Sequence, residues 1–296
     1  MDVAQTDLAV FRRFSRYFTR RIGVLNDQYL GQARPLGQAR LLFEIGSGAS
    51  LRELRSRLGL DAGYLSRMLR ALEAQGMVRL RRHPADSRVR LAELTRLGHA
   101  ELAEQDRRAN EMAGGLLRGL TRDQRAELTS AVGTVERFLR LAAVTIDVVD
   151  PVSPEARQCL SAFAAELDER FPEGFDEDDL VRPDEISGAA GLFLLAAEEG
   201  RPVGCVGLRP LEPGVAEVRH LWVHAAARGI GLAHRLLAGV ENRAAERGHR
   251  VLRLGTNSVL TEAIALYRKA GYVEIPAYDR SPHTHHWFEK RLHPGD

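Results

Sequence analysis

A chain of 296 residues, 44% hydrophobic and 28% charged, can bury two cores of ordinary size and is expected to form two domains. No apolar run is long enough to cross a bilayer, and residues 1–7 lack the basic and apolar regions of a signal peptide. Two cysteines, Cys159 and Cys205, give neither a disulfide framework nor a thiolate metal site, so a cytoplasmic protein is expected. The net charge of +2 conceals 25 arginines against 16 acidic residues in 1–145, and 17 basic against 24 acidic residues in 146–296. That asymmetry suits a polyanion partner for the front half alone.

Leu8, Phe11, Phe14, Phe18, Ile22 and Leu25 recur three or four residues apart, which predicts a long helix with one apolar face. The spacing leaves open whether that face serves a core or a second chain. Shorter helices are predicted over 38–47, 51–58 and 61–74, the last stopping at Gly76. Residues 77–94 alternate on either side of Pro84-Ala85-Asp86-Ser87, the pattern of a two-stranded ribbon. Thr95 caps a further helix, and another follows Thr121. At Val144 the pattern turns to strand, and Ser153-Pro154 opens a helix. The boundary is placed near residue 142 with almost no linker, giving domains 1–142 and 143–296. Beyond it, strands over 192–197, 203–209, 218–223, 252–254, 272–275 and 286–290 alternate with a helix from Gly231 and one ending near Ala270. That alternation is an α/β pattern with a mixed sheet.

In the front half, Leu51, Leu54 and Leu58 stripe one short helix, and Leu65, Leu69 and Leu72 stripe the next. Asp61 is placed to cap the second, whose exposed face carries Tyr64, Ser66, Arg67 and Arg70, side chains able to reach base edges or phosphates in a major groove. With the ribbon after it, the segment resembles the MarR family of winged helix-turn-helix regulators over roughly residues 5–142. Asp86-Ser87-Arg88, Leu91, Leu94-Thr95 and Gly98 carry the likeness. It implies a mainly α winged helix-turn-helix domain in which Arg88 enters the minor groove with Asp86 orienting it, and in which Arg67 is the recurrent recognition-helix arginine. It also implies a homodimer held by the first and last helices of the domain. Such a dimer would read a palindromic operator in double-stranded DNA, its half-sites about 34–36 Å apart. A guanidinium gains from the negative potential of a narrow minor groove, which supports the role of Arg88 independently.

In the rear half, a strand runs into Arg228-Gly229-Ile230-Gly231-Leu232-Ala233, and a helix opens directly from it. Small residues there let backbone N–H groups approach a phosphate, and the helix N-terminus adds partial positive charge. Together with Ala263-Ile-Ala-Leu-Tyr-Arg-Lys-Ala-Gly-Tyr272, this stretch resembles the GNAT superfamily of N-acetyltransferases over roughly residues 144–291. The resemblance implies an α/β mixed-sheet acyltransferase fold, acetyl-CoA as co-substrate, and direct transfer of the acyl group to an amine. It assigns Arg228, Gly229, Ile230, Gly231, Leu232 and Ala233 to the pyrophosphate, and the backbone of Leu221 and Val223 to the pantetheine. Tyr267 becomes the general acid, and Glu217, at the start of the preceding strand, the candidate general base. The family's frequent Asn seven residues before the tyrosine is Leu260 here; Asn257, three residues earlier, is taken in its place for the cofactor.

His283, His285 and His286 are read as a loop entering a final strand, with no metal, and the acidic 173–179 segment as solvated. The expected function is a bifunctional regulator and acetyltransferase. One alternative is a transcription factor whose rear domain only senses acyl-CoA, and another is a protein lysine acetyltransferase. Self-acetylation of a front-half lysine is excluded, because the chain's lysines are Lys269 and Lys290.

Overall fold

The computed structural model describes residues 4–24, 29–32, 34–82, 89–188 and 191–292. Leu25, Asp86 and Arg88 of the sequence reading lie outside these residues. The chain divides into two compact units, Met1–Ser130 and Ala131–Asp296.

The first unit begins with α1 (Gln5–Arg21), followed by α2 (Leu36–Ile45), a two-residue strand β1 (Ala49–Ser50), α3 (Leu51–Leu58) and α4 (Ala62–Ala74). Next come β2 (Val78–Arg82), β3 (Arg90–Leu94) and α5 (Arg96–Leu117). Ser50 starts α3 with a reciprocal capping box: its hydroxyl accepts from Glu53 N–H, and Glu53 accepts from Ser50 N–H at 2.8 Å. Gly59 closes α3 in the left-handed region at φ 62°, where a side chain would be strained. Asp61 then caps α4 by accepting from Tyr64 N–H at 2.9 Å. The antiparallel strands β2 and β3 form the ribbon, and β1 adds to β3. Leu41, Leu42, Leu54, Leu65, Leu69, Leu72, Val78 and Ala92 fill one core beneath them. Gly98 lies in the first turn of α5, so close to β2 that an added Cβ would stand 2.1 Å from Met77 C=O.

The helix α6 (Arg122–Ala143) runs without a turn residue into β4 (Val144–Val148). The division between the units falls inside α6, whereas residue 142 stands near its last turn. The second unit continues through α7 (Pro154–Arg170), β5 (Leu192–Glu198), β6 (Arg201–Glu212), β7 (Val215–Val223) and α8 (Leu232–Glu246). It closes with β8 (Val251–Thr256), α9 (Thr261–Lys269), β9 (Val273–Ile275) and β10 (His286–Arg291).

Their sheet has the order β4-β5-β6-β7-β8-β10-β9. The pairings are antiparallel except β7 with β8. One face packs α8 and α9 over Leu194, Val206, Leu236, Val240, Leu254 and Ile264. The other packs α7 over Phe193, Leu195 and the buried free thiols Cys159 and Cys205. Two departures from regular pairing interrupt the middle of this sheet. The parallel pair β7–β8 holds only from Val215–Val251 to Glu217–Arg253, after which the two strands part. In β7, one residue more than in β6 is taken up between Arg219 and Trp222, a bulge that places His220 at φ 55°.

Candidate active site and nucleic-acid interface

Where β7 and β8 part, the sheet opens a groove of about 400 Å³. Its wall includes Leu221, Val223, Gly229, Gly231, Ala233 and Tyr267. His224 N–H bonds back to Val203 C=O at 2.9 Å, so the alternation of an antiparallel ladder turns the peptide of Val223 away from β6 and into the gap. At one end of the groove, Gly229 and Gly231 hold φ 76° and 91°, a conformation that glycine adopts without strain. Gly231 is also the N-cap of α8 and brings no side chain to its first N–H groups, which leaves a helix N-terminus open to an anion. Ile230 and Leu232 send their side chains into the core, so only their backbone is available to a ligand. Arg228 is held by neighbours: its Nε donates to Val223 C=O at 2.9 Å, and its Nη2 donates to Glu166. A ligand amide seeking Val223 C=O therefore competes with Arg228.

A second, smaller cavity of about 110 Å³ adjoins the sheet opening, walled by Phe163, Phe171, Phe175, Arg219, His220 and His283 among others. Tyr267 lines both spaces. Its ring packs on Tyr272 and Phe288, at centroid distances of 6.0 and 5.9 Å. Burial raises its phenol above the ordinary value, with the nearby Arg219 charge opposing in part, so it stays protonated at neutral pH. A protonated hydroxyl at the junction of two cavities can give a proton to a group leaving from either.

Two expected site residues are placed otherwise. Glu217 is fully buried and lines neither cavity; it accepts from Arg209 Nε at 2.6 Å and from Tyr278 O–H at 2.7 Å. Buried behind both walls, the carboxylate does not face a substrate in either space, so its placement gives a general-base role no support. Asn257 borders the smaller cavity and not the groove. Its Nδ2 donates to His283 C=O at 3.0 Å and its Oδ1 accepts from Val259 N–H, so it fastens two loops and does not contact a cofactor in the groove.

In the first unit, α4 buries Leu65, Met68, Leu69 and Leu72 and presents Tyr64, Arg67 and Arg70 outward, with Ser66 half-buried. The Arg67 guanidinium lies 5.7 Å from the centre of the Tyr64 ring, which pre-arranges a flat cation on the exposed face.

Comparison with known proteins agrees with both arrangements. Residues 34–89 match the MarR family, and residues 158–272 match the acetyltransferase (GNAT) family. The chain joins a MarR-family domain to a GNAT-family domain. Over 83 residues it is 37% identical to an IAA acetyltransferase of Azospirillum brasilense, a stretch covering 28% of this chain and 54% of that protein. Over 86 residues it is 38% identical to the uncharacterized N-acetyltransferase YjgM of Escherichia coli, covering 28% and 52%. The chain thus spans about half the length of these two relatives. A solved GNAT-family acetyltransferase from Staphylococcus aureus superposes with TM-score 0.44 at 19% identity, covering 50% of this chain and 100% of that one.

Within the GNAT domain, sequence reading missed the smaller cavity. Phe163 and Phe171 come from or adjoin α7, Arg219 and His220 from β7, and His283 from the last loop, so nothing local in the sequence brings them together. The histidines of the tail disperse: His283 faces Asp179 and Glu173, His285 faces Ser258, and His286 faces Glu274. Among the described residues no group of His, Cys, Asp or Glu is arranged to hold a metal, and no helix is long and apolar enough to cross a membrane.

Proposed function

We propose that the chain is an acetyl-CoA-dependent N-acetyltransferase joined to a DNA-binding regulator. The observation that carries the first half is Tyr267 on the wall shared by groove and cavity, with the Gly229–Gly231 turn at the groove's other end. Acetyl-CoA fits the groove in its chemistry: bare N–H groups at the start of α8 suit its pyrophosphate, and the unpaired edge of β7 at Leu221 and Val223 suits the amides of its pantetheine. When bound, it supplies the thioester. A neutral amine in the smaller cavity attacks the acetyl carbon, a C–N bond forms and the C–S bond breaks. Tyr267 gives its proton to the departing sulfur, the proton lost by the amine passes to solvent, and the phenolate regains a proton from solvent. His220 and Leu221 have no ladder partner in β6, so the bulge leaves peptide groups beside the thioester to receive the developing oxyanion.

For the other half, α4 with Tyr64, Ser66, Arg67 and Arg70 reads a major groove, with Arg88 entering the flanking minor groove and Asp86 orienting it. A homodimer joined through α1 and α6 addresses a palindromic operator. Both helices support that reading, because neither buries a residue and each exposes large apolar side chains. The engaged Glu217 favours a second reading, in which the GNAT domain binds acyl-CoA and only reports it to the DNA reader.

Isothermal calorimetry of the whole chain with acetyl-CoA, followed by thiol release in the presence of amines, separates these. Saturable binding that is lost in Gly231→Asp, with thiol released, supports the enzyme. Binding without thiol release across amines of varied charge and size supports the sensor. A wild-type chain that takes up no acetyl-CoA overturns both.

A further inference from the structure

The smaller cavity carries a charge that the reaction above does not use. Arg219 lies on its wall next to His220, Leu221 and Tyr267, with its side chain four-fifths buried. Among the described residues its guanidinium makes no hydrogen bond; its carboxylate neighbour is Glu217 Oε1 at 3.7 Å. That oxygen already accepts from Tyr278, and the other oxygen of Glu217 accepts from Arg209. Arg209 also takes Glu185, at 2.7 Å, so both nearby acids are engaged by Arg209. A guanidinium offers five N–H donors in a planar fork, and here they open on the cavity, where a planar anion can take the place of water.

Neither His220 nor Asp179, which share the wall, competes for that anion. His220 accepts from Val181 N–H at 3.1 Å, and burial lowers its pKa to about 3, so its ring is neutral. Asp179 is occupied with Asp176 N–H at 3.0 Å and with His283 Nε2 at 3.4 Å. One side of the wall is ring-rich, where Phe175 meets Phe163 at 6.1 Å and Phe171 at 5.8 Å with His283 stacked on Phe171, and Thr256, Asn257, Ser281 and Thr284 line another part. The cavity therefore offers one fork for a planar anion, an apolar pocket, and access to Tyr267 between them.

We propose that the acceptor is a primary amine carrying a carboxylate close to its nitrogen, an α-amino acid with an uncharged apolar side chain. Its carboxylate is held by Arg219, and its side chain lies among Phe163, Phe171 and Phe175. The proposal rests on the acetyltransferase reading. Binding at both ends of the acceptor leaves its nitrogen between Arg219 and Tyr267, where the acetyl carbon is delivered; the products are the N-acetyl amino acid and free CoA.

The test uses the whole chain, acetyl-CoA and matched pairs: leucine with isoamylamine, methionine with 3-(methylthio)propylamine, and phenylalanine with phenethylamine. Thiol release is expected for at least one amino acid, with kcat/KM about a hundredfold or more above that of its decarboxylated partner. Arg219→Gln should raise KM for the amino acid and narrow that advantage, and Arg219→Lys should restore part of it. Calorimetry with acetyl-CoA checks that each variant retains a working groove. Amines that react as well as the amino acids overturn the proposal, as does a chain that binds acetyl-CoA but turns over none of the three amino acids. Failure to bind acetyl-CoA at all is the distinct result that refutes the acetyltransferase reading beneath it.

Discussion

At the scale of single residues, Tyr267 is distinguished from the two rings packed on it, Tyr272 and Phe288, by facing two spaces at once. Tyr272, just beyond the end of α9 and likewise buried, lines neither. Replacing Tyr267 by Phe keeps the ring packing on Phe288 and removes only the hydroxyl group that carries the proton. We expect kcat to fall about a hundredfold or more with acetyl-CoA affinity retained, a result read from thiol release alongside calorimetry. Turnover equal to wild type would take the proton-donor role away from this residue. The glycine turn at 229 and 231 was legible in the sequence because a strand running straight into a helix carries its own local pattern, whereas Tyr267 was singled out by the family resemblance. Arg219 and Glu217 were not legible in their roles. Their chemistry depends on Arg209, Tyr278 and Glu185, which reach them from β6 and distant loops. A carboxylate at the start of a strand looks the same in sequence whether it is free or clasped.

At the scale of elements, β7 matters most, since its bulge puts Arg219 and His220 together on the cavity wall. The strand expected over 218–223 is the end of β7; the extra residue was invisible, because a bulge shows itself only against its partner's register. The two-residue strand β1 is likewise too short to leave a pattern. The bulge makes a pH prediction. The unfolded chain takes up a proton at His220 below about pH 6.5, whereas burial, reinforced by Arg219 and Arg209, makes the folded chain refuse it until about pH 3. This residue's contribution to stability is therefore complete above pH 6.5 and is lost as pH falls through that window, at about 1.4 kcal/mol per pH unit. His220→Asn removes the titrating group, and asparagine tolerates positive φ. Urea denaturation followed by tryptophan fluorescence reports on the second unit alone, because both tryptophans, Trp222 and Trp287, lie there. Between pH 7 and pH 5 the wild-type midpoint should fall more than that of the variant; parallel losses would show that His220 is protonated in the folded chain.

At the scale of the whole molecule, the proposed homodimer would rest on the long helices. On α1 the rings of Phe14 and Phe18 stack at 5.6 Å, exposed with Phe11 and Tyr17. On α6, Val132, Val135, Phe138 and Leu139 are exposed. Apolar surface of that extent on a monomer marks an interface. Phe14→Glu and Phe138→Glu, each made alone, should turn a dimer into a monomer in sedimentation velocity and weaken operator binding together with it. A variant that stays dimeric would place the interface elsewhere, and a monomeric wild type would end the dimer reading. The apolar periodicity of α1 was plain in sequence, yet it could not say whether the face met a core or another chain; the exposure of these rings decides against a core within this chain.

The parting of β7 and β8 has a consequence for the sheet itself. Strands β4-β5-β6-β7 and β8-β10-β9 are paired at one end only, through three residue pairs extended by the Arg250 and Val251 N–H groups on Gly214 C=O, so along the backbone ladder the sheet is two panels on a short hinge. A pantetheine lying in the gap would bond to the edge of one panel and pack against the other, as a rib does in a frame. The cofactor would then be a strut of the protein as well as its reagent, and the stiffness of this unit would rise and fall with the supply of acetyl-CoA.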